Sequence, residues 1–162
     1  MSIVLVRVDD RLVHGQIVEA WAPFCRATCV VVASDEAKKN RIQRIALESC
    51  TSKALTIKVE GIEESLEDIE SGNMNTERVI IIFSTLKDIM QAYKNGFRFS
   101  HLNIGNIHHN GKGKKLTPSV YVDKEDEDIL HNFLDMGIEL DIRGVPSDRP
   151  FAIKEREMRN KE

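Results

Sequence analysis

Ile3-Val4-Leu5-Val6-Arg7-Val8-Asp9-Asp10-Arg11-Leu12-Val13-His14-Gly15-Gln16-Ile17-Val18-Glu19-Ala20-Trp21-Ala22 carries three signals in succession. The apolar run at 3–6 reads as a strand. It stops at two acids and a base, then at a histidine followed by glycine. Residues 17–22 suit a helix. A strand, a charged turn and a helix open an α/β unit, and open α/β sheets bind ligands outside the carboxyl ends of their strands. A helix start adds free N–H groups and the positive end of a dipole, which suit phosphate. His14 is therefore the candidate seat of a phosphoryl group. A blander reading also fits: Asp9 and Asp10 between Arg7 and Arg11 can be surface ion pairs, worth little each. Gly15 tilts the balance toward function, because it lets backbone approach a ligand.

Outward from this unit the pattern repeats. Residues 29–33 are apolar at consecutive positions, as strands covered on both faces tend to be. A helix over about 40–50 would bury Ile42, Ile45, Ala46 and Cys50 on one face. Residues 55–59 alternate apolar and polar, the mark of an edge strand or one with a wet face. Ile62, Leu66 and Ile69 repeat at helical spacing, and 71–75 is a loop. Val79-Ile-Ile-Ile-Phe83 is the most apolar strand and belongs near the centre. Thr85 with Asp88 has capping-box spacing before an amphipathic helix that Asn95-Gly96 ends. Residues 101–104 form a short strand, 105–118 a long polar loop or hairpin, and 119–122 another strand. Asp123 with Asp126 opens a helix buried through Ile129, Leu130, Phe133 and Leu134. Residues 138–142 are the last strand.

Strands alternating with helices of about ten residues predict one α/β domain with a mixed, mainly parallel sheet and helices on both faces. Near Ser119 two strands follow one another without a helix, which allows an antiparallel pair. The domain is expected over 1–162, with a core at 1–148 and a charged C-terminal tail at 149–162 that forms a short helix or frays.

The 162 residues fit a single domain. With 41% hydrophobic and 30% charged residues they fit a soluble globular protein. A net charge of −3 gives no basic field to draw nucleic acid or anionic lipid. No apolar run approaches the roughly 18 residues of a membrane span, and a strand from Ile3 leaves no room for a signal peptide. Cys25, Cys29 and Cys50 fit no zinc spacing and read as thiols of a reducing cytoplasm.

The run Arg7-Val-Asp-Asp-Arg-Leu-Val-His14-Gly-Gln16 resembles the signature of the enzyme IIB components of the mannose/fructose/sorbose family of the bacterial sugar phosphotransferase system (PTS). The likeness extends through Asn103-Ile-Gly105, Gly113-Lys-Lys-Leu-Thr117, Val120-Tyr-Val-Asp123, Gly137-Ile-Glu-Leu-Asp-Ile-Arg143 and Val145-Pro-Ser-Asp148. It implies the same mixed, mainly parallel sheet. It implies that His14 takes phosphate on Nδ1 from a phospho-IIA protein and passes it to a sugar. The sugar is handled by membrane IIC/IID subunits, so the chain is expected in the cytoplasm, peripherally bound to the membrane through them. Where the commonest family pattern has a second glycine, Asn106 stands here, followed by Ile107-His108. That looks more like the amino-sugar branch, of the N-acetylgalactosamine kind.

The chemistry is coherent with a histidine carrier. Imidazole, with a reference pKa of about 6.5, is both a nucleophile at neutral pH and a leaving group. Phosphoryl transfer needs positioning and charge balance, not a cofactor or metal. Arg11 can offer its donor fork to phosphate oxygens, as can amides at 13–15. Asp9 or Asp10 can hold the other ring nitrogen, or hold Arg11; the sequence leaves the two jobs unassigned. The loop Asn103-Ile-Gly105-Asn106-Ile-His108-His109-Asn110-Gly111-Lys-Gly113-Lys114-Lys115 is a second phosphate-facing candidate, though neither a Walker loop nor a dinucleotide fingerprint. His108-His109 lack a third metal ligand. Ser84-Thr85 could line the pocket, but helix capping explains them. Trp21 reads as core or partner contact. The rival readings are a regulatory module that keeps the fold and only docks partners, and a flavodoxin-shaped nucleotide binder. Docking alone does not require the Asp-Asp-Arg-x-x-His-Gly run.

Overall fold

The computed structural model describes residues 1–153; the remainder of the expected tail lies outside the described residues. In chain order the strands are β1 Ser2–Asp9, β2 Cys29–Ala33, β3 Thr56–Glu60, β4 Arg78–Phe83, β5 His101–Asn106, β6 Lys114–Thr117, β7 Val120–Val122, β8 Glu139–Ile142 and β9 Phe151–Ala152. The helices are α1 Ala22–Cys25, α2 Asp35–Lys39, α3 Arg41–Glu48, α4 Ile62–Ser71, α5 Leu86–Lys94 and α6 Lys124–Asp135.

Seven strands form one sheet in the order β3-β2-β4-β1-β5-β8-β9. The first six run parallel, and β9 pairs antiparallel with β8. Residues 151–152 thus complete the sheet edge and Ile153 is buried, so the core extends past the expected boundary at 148. The antiparallel pair near Ser119 exists, but β6 and β7 form a separate hairpin. The alternating strand β3 is an edge, and the apolar β4 lies inside between β2 and β1. The chain winds outward from β1 through β2 to β3. It returns through β4 and crosses to β5 and β8, so the carboxyl end of β1 opens between two oppositely wound halves.

Both faces are covered. Val6, Val8, Val31, Ile81, Phe83, Ile104 and Ile142 pack against α4, α5 and α6 through Ile62, Ile89 and Phe133. Val30, Val32, Ile80 and Ile82 on the opposite face pack under Ile17, Trp21, Ala37 and Leu47. Period-two alternation explains the division.

Helix starts follow their caps. Ser34, Asn40 and Thr85 each accept the N–H three residues on. Asp123 and Asp126 exchange both bonds of a capping box. Asp88 does not complete the box at Thr85; its carboxylate accepts the Ser84 hydroxyl instead.

Two helical expectations are corrected. The segment Gln16–Trp21 is π-wound, with the Ala22 N–H reaching back to Ile17 O, before one α-turn closes it. On α3, Ile42 and Ile45 are 83% and 53% exposed, and Ala46 and Cys50 are exposed too, whereas Leu47 is buried. At about 100° per residue, Leu47 lies roughly 140° and 160° around the axis from Ile42 and Ile45, so only one side can meet the sheet. Leu47 and Leu55 share that cluster and decide it. Leu47→Ala should cost about 2–5 kcal/mol in urea unfolding. Ile42→Ser and Ile45→Ser should stay within about 0.5 kcal/mol of the native protein.

Candidate functional site

β1 does not end at Val6. It continues through Arg7, Val8 and Asp9, all fully buried. Val6 and Val8 belong to the α4–α6 face, so strand parity turns Arg7 and Asp9 toward the opposite side. The chain then turns sharply: the Leu12 N–H donates to Asp9 O, and Leu12 takes a left-handed φ of 58°. A left-handed leucine is uncommon. It is held here because Leu12 and Val13 are buried in the α1–α3-side core. That anchoring swings His14 back over Asp9.

The geometry assigns the two acids. His14 Nε2 lies 2.7 Å from Asp9 Oδ2. A carboxylate only accepts, so Nε2 carries the proton and Nδ1 carries the lone pair. Asp9 also receives Arg7 Nε and Nη2 at 3.1 and 2.9 Å, Asn106 Nδ2 at 3.0 Å, and the Arg11 N–H on Oδ1 at 2.9 Å. Asp10 does not meet His14. It accepts the backbone N–H of His108 at 2.7 Å and its ring Nδ1 at 2.9 Å, tying the β5 loop to the turn.

Burial raises the Asp9 pKa, but the His14 hydrogen bond and the Arg7 charge, with help from Asn106, outweigh it and hold the carboxyl below its ordinary range. Arg7 spreads its donors further, to Asn103 Oδ1 at 2.6 Å, Arg143 O at 3.0 Å, Gly144 O at 3.1 Å and Gln16 Oε1 at 3.3 Å. Trp21 closes this layer. Its Nε1 donates to Gly144 O at 2.8 Å, and the Arg7 and Arg143 guanidinium carbons lie 5.6 and 5.4 Å from its ring centroid.

The His14 side chain is itself only 9% exposed, and the remaining polar groups of the turn are different in kind. Arg11 is exposed, and its guanidinium meets no partner among the described residues. The N–H groups of Val13, His14, Gly15 and Gln16 likewise carry no hydrogen bond among the described residues. Gly15 is exposed with an ordinary helical φ of −52°, and a Cβ there would meet only Glu19 Oε2, at 3.8 Å. The turn itself therefore does not require glycine.

Sequence reasoning left Gln16 and Arg143 without roles, and its alternative of surface ion pairs fails for Arg7 and Asp9, which are fully buried. A charged residue between Val6 and Val8 in an apolar run was the available signal for Arg7. The loop expected to face phosphate contributes its first residues to the Arg7–Asp9 layer instead. Of its lysines, Lys114 pairs with Glu127 of α6 at 3.8 Å. His109 lies with Asp123 and Asp126 inside 4.8 Å, a grouping invisible in sequence. Both carboxylates already serve the α6 cap. Ser84 turns to Asp88, away from any phosphate role.

Fold and site define a parallel α/β protein that presents one imidazole, gripped by a single nitrogen, at the end of its middle strand. Residues 3–161 match the family model described as PTS system sorbose subfamily IIB component. The chain belongs to that family, whose IIB components are phosphotransferases. Among solved structures, the IIB domain of the sorbose permease from Klebsiella pneumoniae has a TM-score of 0.86 at 26% identity, covering 93% of each chain. The N-acetylgalactosamine-specific IIB component 1 from Escherichia coli has a TM-score of 0.86 at 27% identity, covering 94% of this chain and 100% of that one. The mannose-specific EIIAB component of Escherichia coli (strain K12) is 26% identical over 148 residues; it is matched over 91% of this chain and 46% of its own length. No helix among the described residues is long and apolar enough to cross a membrane.

Two variants test the buried layer. The pKa of Asp9 is lowered from 3.8, so its contribution to stability is present above that value and is lost as pH falls through the folded one. Arg7→Leu leaves the carboxylate without its counter-charge and should cost about 3–5 kcal/mol at pH 7. The gap from the native protein should narrow as acid protonates Asp9, which urea unfolding at pH 7 and at lower pH measures. A Cβ on Gly105 would lie 2.0 Å from Arg7 Nη2. Gly105→Ala should therefore expel the guanidinium and lower the midpoint of thermal unfolding, whereas Gly15→Ala should leave it unchanged or raise it.

Proposed function

We propose that this chain is a phosphoryl carrier, with His14 Nδ1 as the acceptor atom. The observation that supports this best is the 2.7 Å contact from Nε2 to Asp9, which leaves Nδ1 as the nucleophilic nitrogen. The Nδ1 lone pair forms the new N–P bond while the donor's bond to phosphorus breaks and its electron pair returns to the donor. The imidazole keeps its Nε2 proton, and the positive charge that develops on the ring faces the Asp9 carboxylate. In the second step a sugar hydroxyl oxygen forms the new O–P bond and releases its proton to solvent, while the P–N electron pair returns to Nδ1. Arg11 and the amides of residues 13–15 meet the phosphoryl oxygens, and Gly15 leaves room for them. Asp9 orients the ring, and Asp10 fixes the neighbouring loop through His108.

The donor in this reading is a phospho-IIA protein or domain. The mannose-specific EIIAB relative, which joins A and B parts under one name, supports that pairing. The final acceptor is a mannose-family sugar entering through membrane IIC/IID subunits, which would bring the chain from the cytoplasm to the membrane surface. An amino sugar such as N-acetylgalactosamine is the specific candidate; the similarity to an N-acetylgalactosamine-specific IIB component supports it.

The test is incubation with phospho-IIA regenerated from labelled phosphoenolpyruvate by the general phosphocarrier proteins. Native protein should gain acid-labile label, and His14→Ala should gain none while remaining folded, with a cooperative thermal transition at a somewhat lower midpoint because Asp9 loses a hydrogen-bond donor. Arg11→Ala should slow labelling about 10²-fold. Label on the His14→Ala protein, or none on the native protein, would overturn the reading.

A further inference from the structure

Asp9 Oδ2 is unusually crowded. It receives His14 Nε2, two nitrogens of Arg7 and Asn106 Nδ2, and every one of these contacts is 3.1 Å or shorter. The polarity of the network leaves no ambiguity. Arg7 Nη2 can only donate, so the Gln16 atom facing it at 3.3 Å is the carbonyl Oε1. Asn106 faces both that carbonyl, at 3.2 Å, and the Asp9 carboxylate. Both are acceptors, so the Asn106 amide presents its NH₂ to the pair. Asn106 is 4% exposed, and its own carbonyl takes the Asp10 N–H at 2.9 Å. Backbone and side chain therefore hold the donor in place.

We propose that Asn106 is a positioning residue that tunes His14: its amide shares the oxygen that holds the imidazole and weakens that oxygen's grip on the Nε2 proton. A carboxylate lone pair shared among more donors is a poorer acceptor for each. The imidazolium that Asp9 stabilises is correspondingly less favoured. The same positive charge arises when Nδ1 carries a phosphoryl group and Nε2 keeps its proton. Asn106 then keeps the P–N bond from becoming too stable to hand on. That consequence rests on the carrier reading, whereas the effect on the free imidazole does not.

Among the described residues, the charged or titratable side chains that meet Asp9 are Arg7 and His14. Arg7 comes from β1 itself and His14 from the turn; β5 contributes only the neutral Asn106, and the helix start contributes the neutral Gln16 behind it. Asp10 faces His108 instead. Removing the amide therefore changes the donor count on Asp9 and not the charge around it.

The experiment is a pH titration of the His14 ring by NMR in the unphosphorylated protein, native against Asn106→Ala and the near-isosteric Asn106→Leu. Both variants delete the donor, and the second also fills its space, so loss of packing in one does not forfeit the test. The His14 pKa should rise by about 0.5 to 1 in either variant, the equivalent of one net hydrogen bond. Nε2 should remain the protonated nitrogen of the neutral ring. A His14 pKa unchanged or lowered in the folded variants would overturn the proposal. Failure of the phosphorylation assay alone would instead count against the carrier role, since no phosphate enters this titration.

Discussion

A guanidinium and a carboxylate, Arg7 and Asp9, lie side by side with no exposure to solvent. Such a pair is a poor source of stability, because removing two ions from water costs about as much as their attraction returns. What it provides is direction. Beyond Asp9, Arg7 collects acceptors from three further segments: Asn103 on β5, the carbonyls of Arg143 and Gly144 after β8, and Gln16 at the helix start. Each of those segments is therefore referenced to the same point. Gly105 belongs to the same requirement, since any side chain there would occupy the guanidinium's place. The pair turns the loops at the carboxyl end of the sheet into a rigid seat for one imidazole.

This explains why some of the site was legible in the sequence and some was not. The turn from Asp9 to His14 could be read because its signals are local: an apolar run, a break, a histidine and glycine, then an amphipathic stretch. The caps at Thr85 and Asp123 were local too. Arg7 could not be placed, because a strand that runs three residues past its apolar stretch looks, in sequence, like one that has ended. Its burial depends on partners 96 and 137 residues away. The same distance hid Asn106, which meets Asp9 across β1 and β5. Only the structure could separate the tasks of Asp9 and Asp10, adjacent residues of which one ends β1 buried against His14 and the other begins the turn and meets His108.

The misreading of α3 has a different cause. Ile42 and Ile45 gave a strong helical stripe, and the stripe points outward. Periodicity finds an apolar face without saying what covers it. Here a single leucine on the other side fits the pocket over β2 and β3, and an eight-residue helix needs little more. The π-wound start of the first helix was equally beyond local reading. Within it Ile17 and Trp21 are both buried, and Trp21 reaches Gly144, a partner 123 residues away.

If His14 is a phosphoryl carrier, as proposed above, its surroundings divide the work. Behind Nε2 stands a buried carboxylate, itself held by a buried guanidinium and an amide. The turn that carries His14 also offers an exposed arginine, backbone N–H groups and a glycine, none of them committed to another partner among the described residues. An enzyme that completed a reaction alone would gain from the reverse arrangement, with buried charges closing over the reacting phosphorus. A carrier must receive the group from one surface and release it to another, so tight charges around phosphate would trap it. Placing the strong interactions behind the ring fixes its aim and tautomer without adding affinity for the cargo. On the proposed reading, the charge that each transfer step requires is left to the surfaces of the donor and the acceptor.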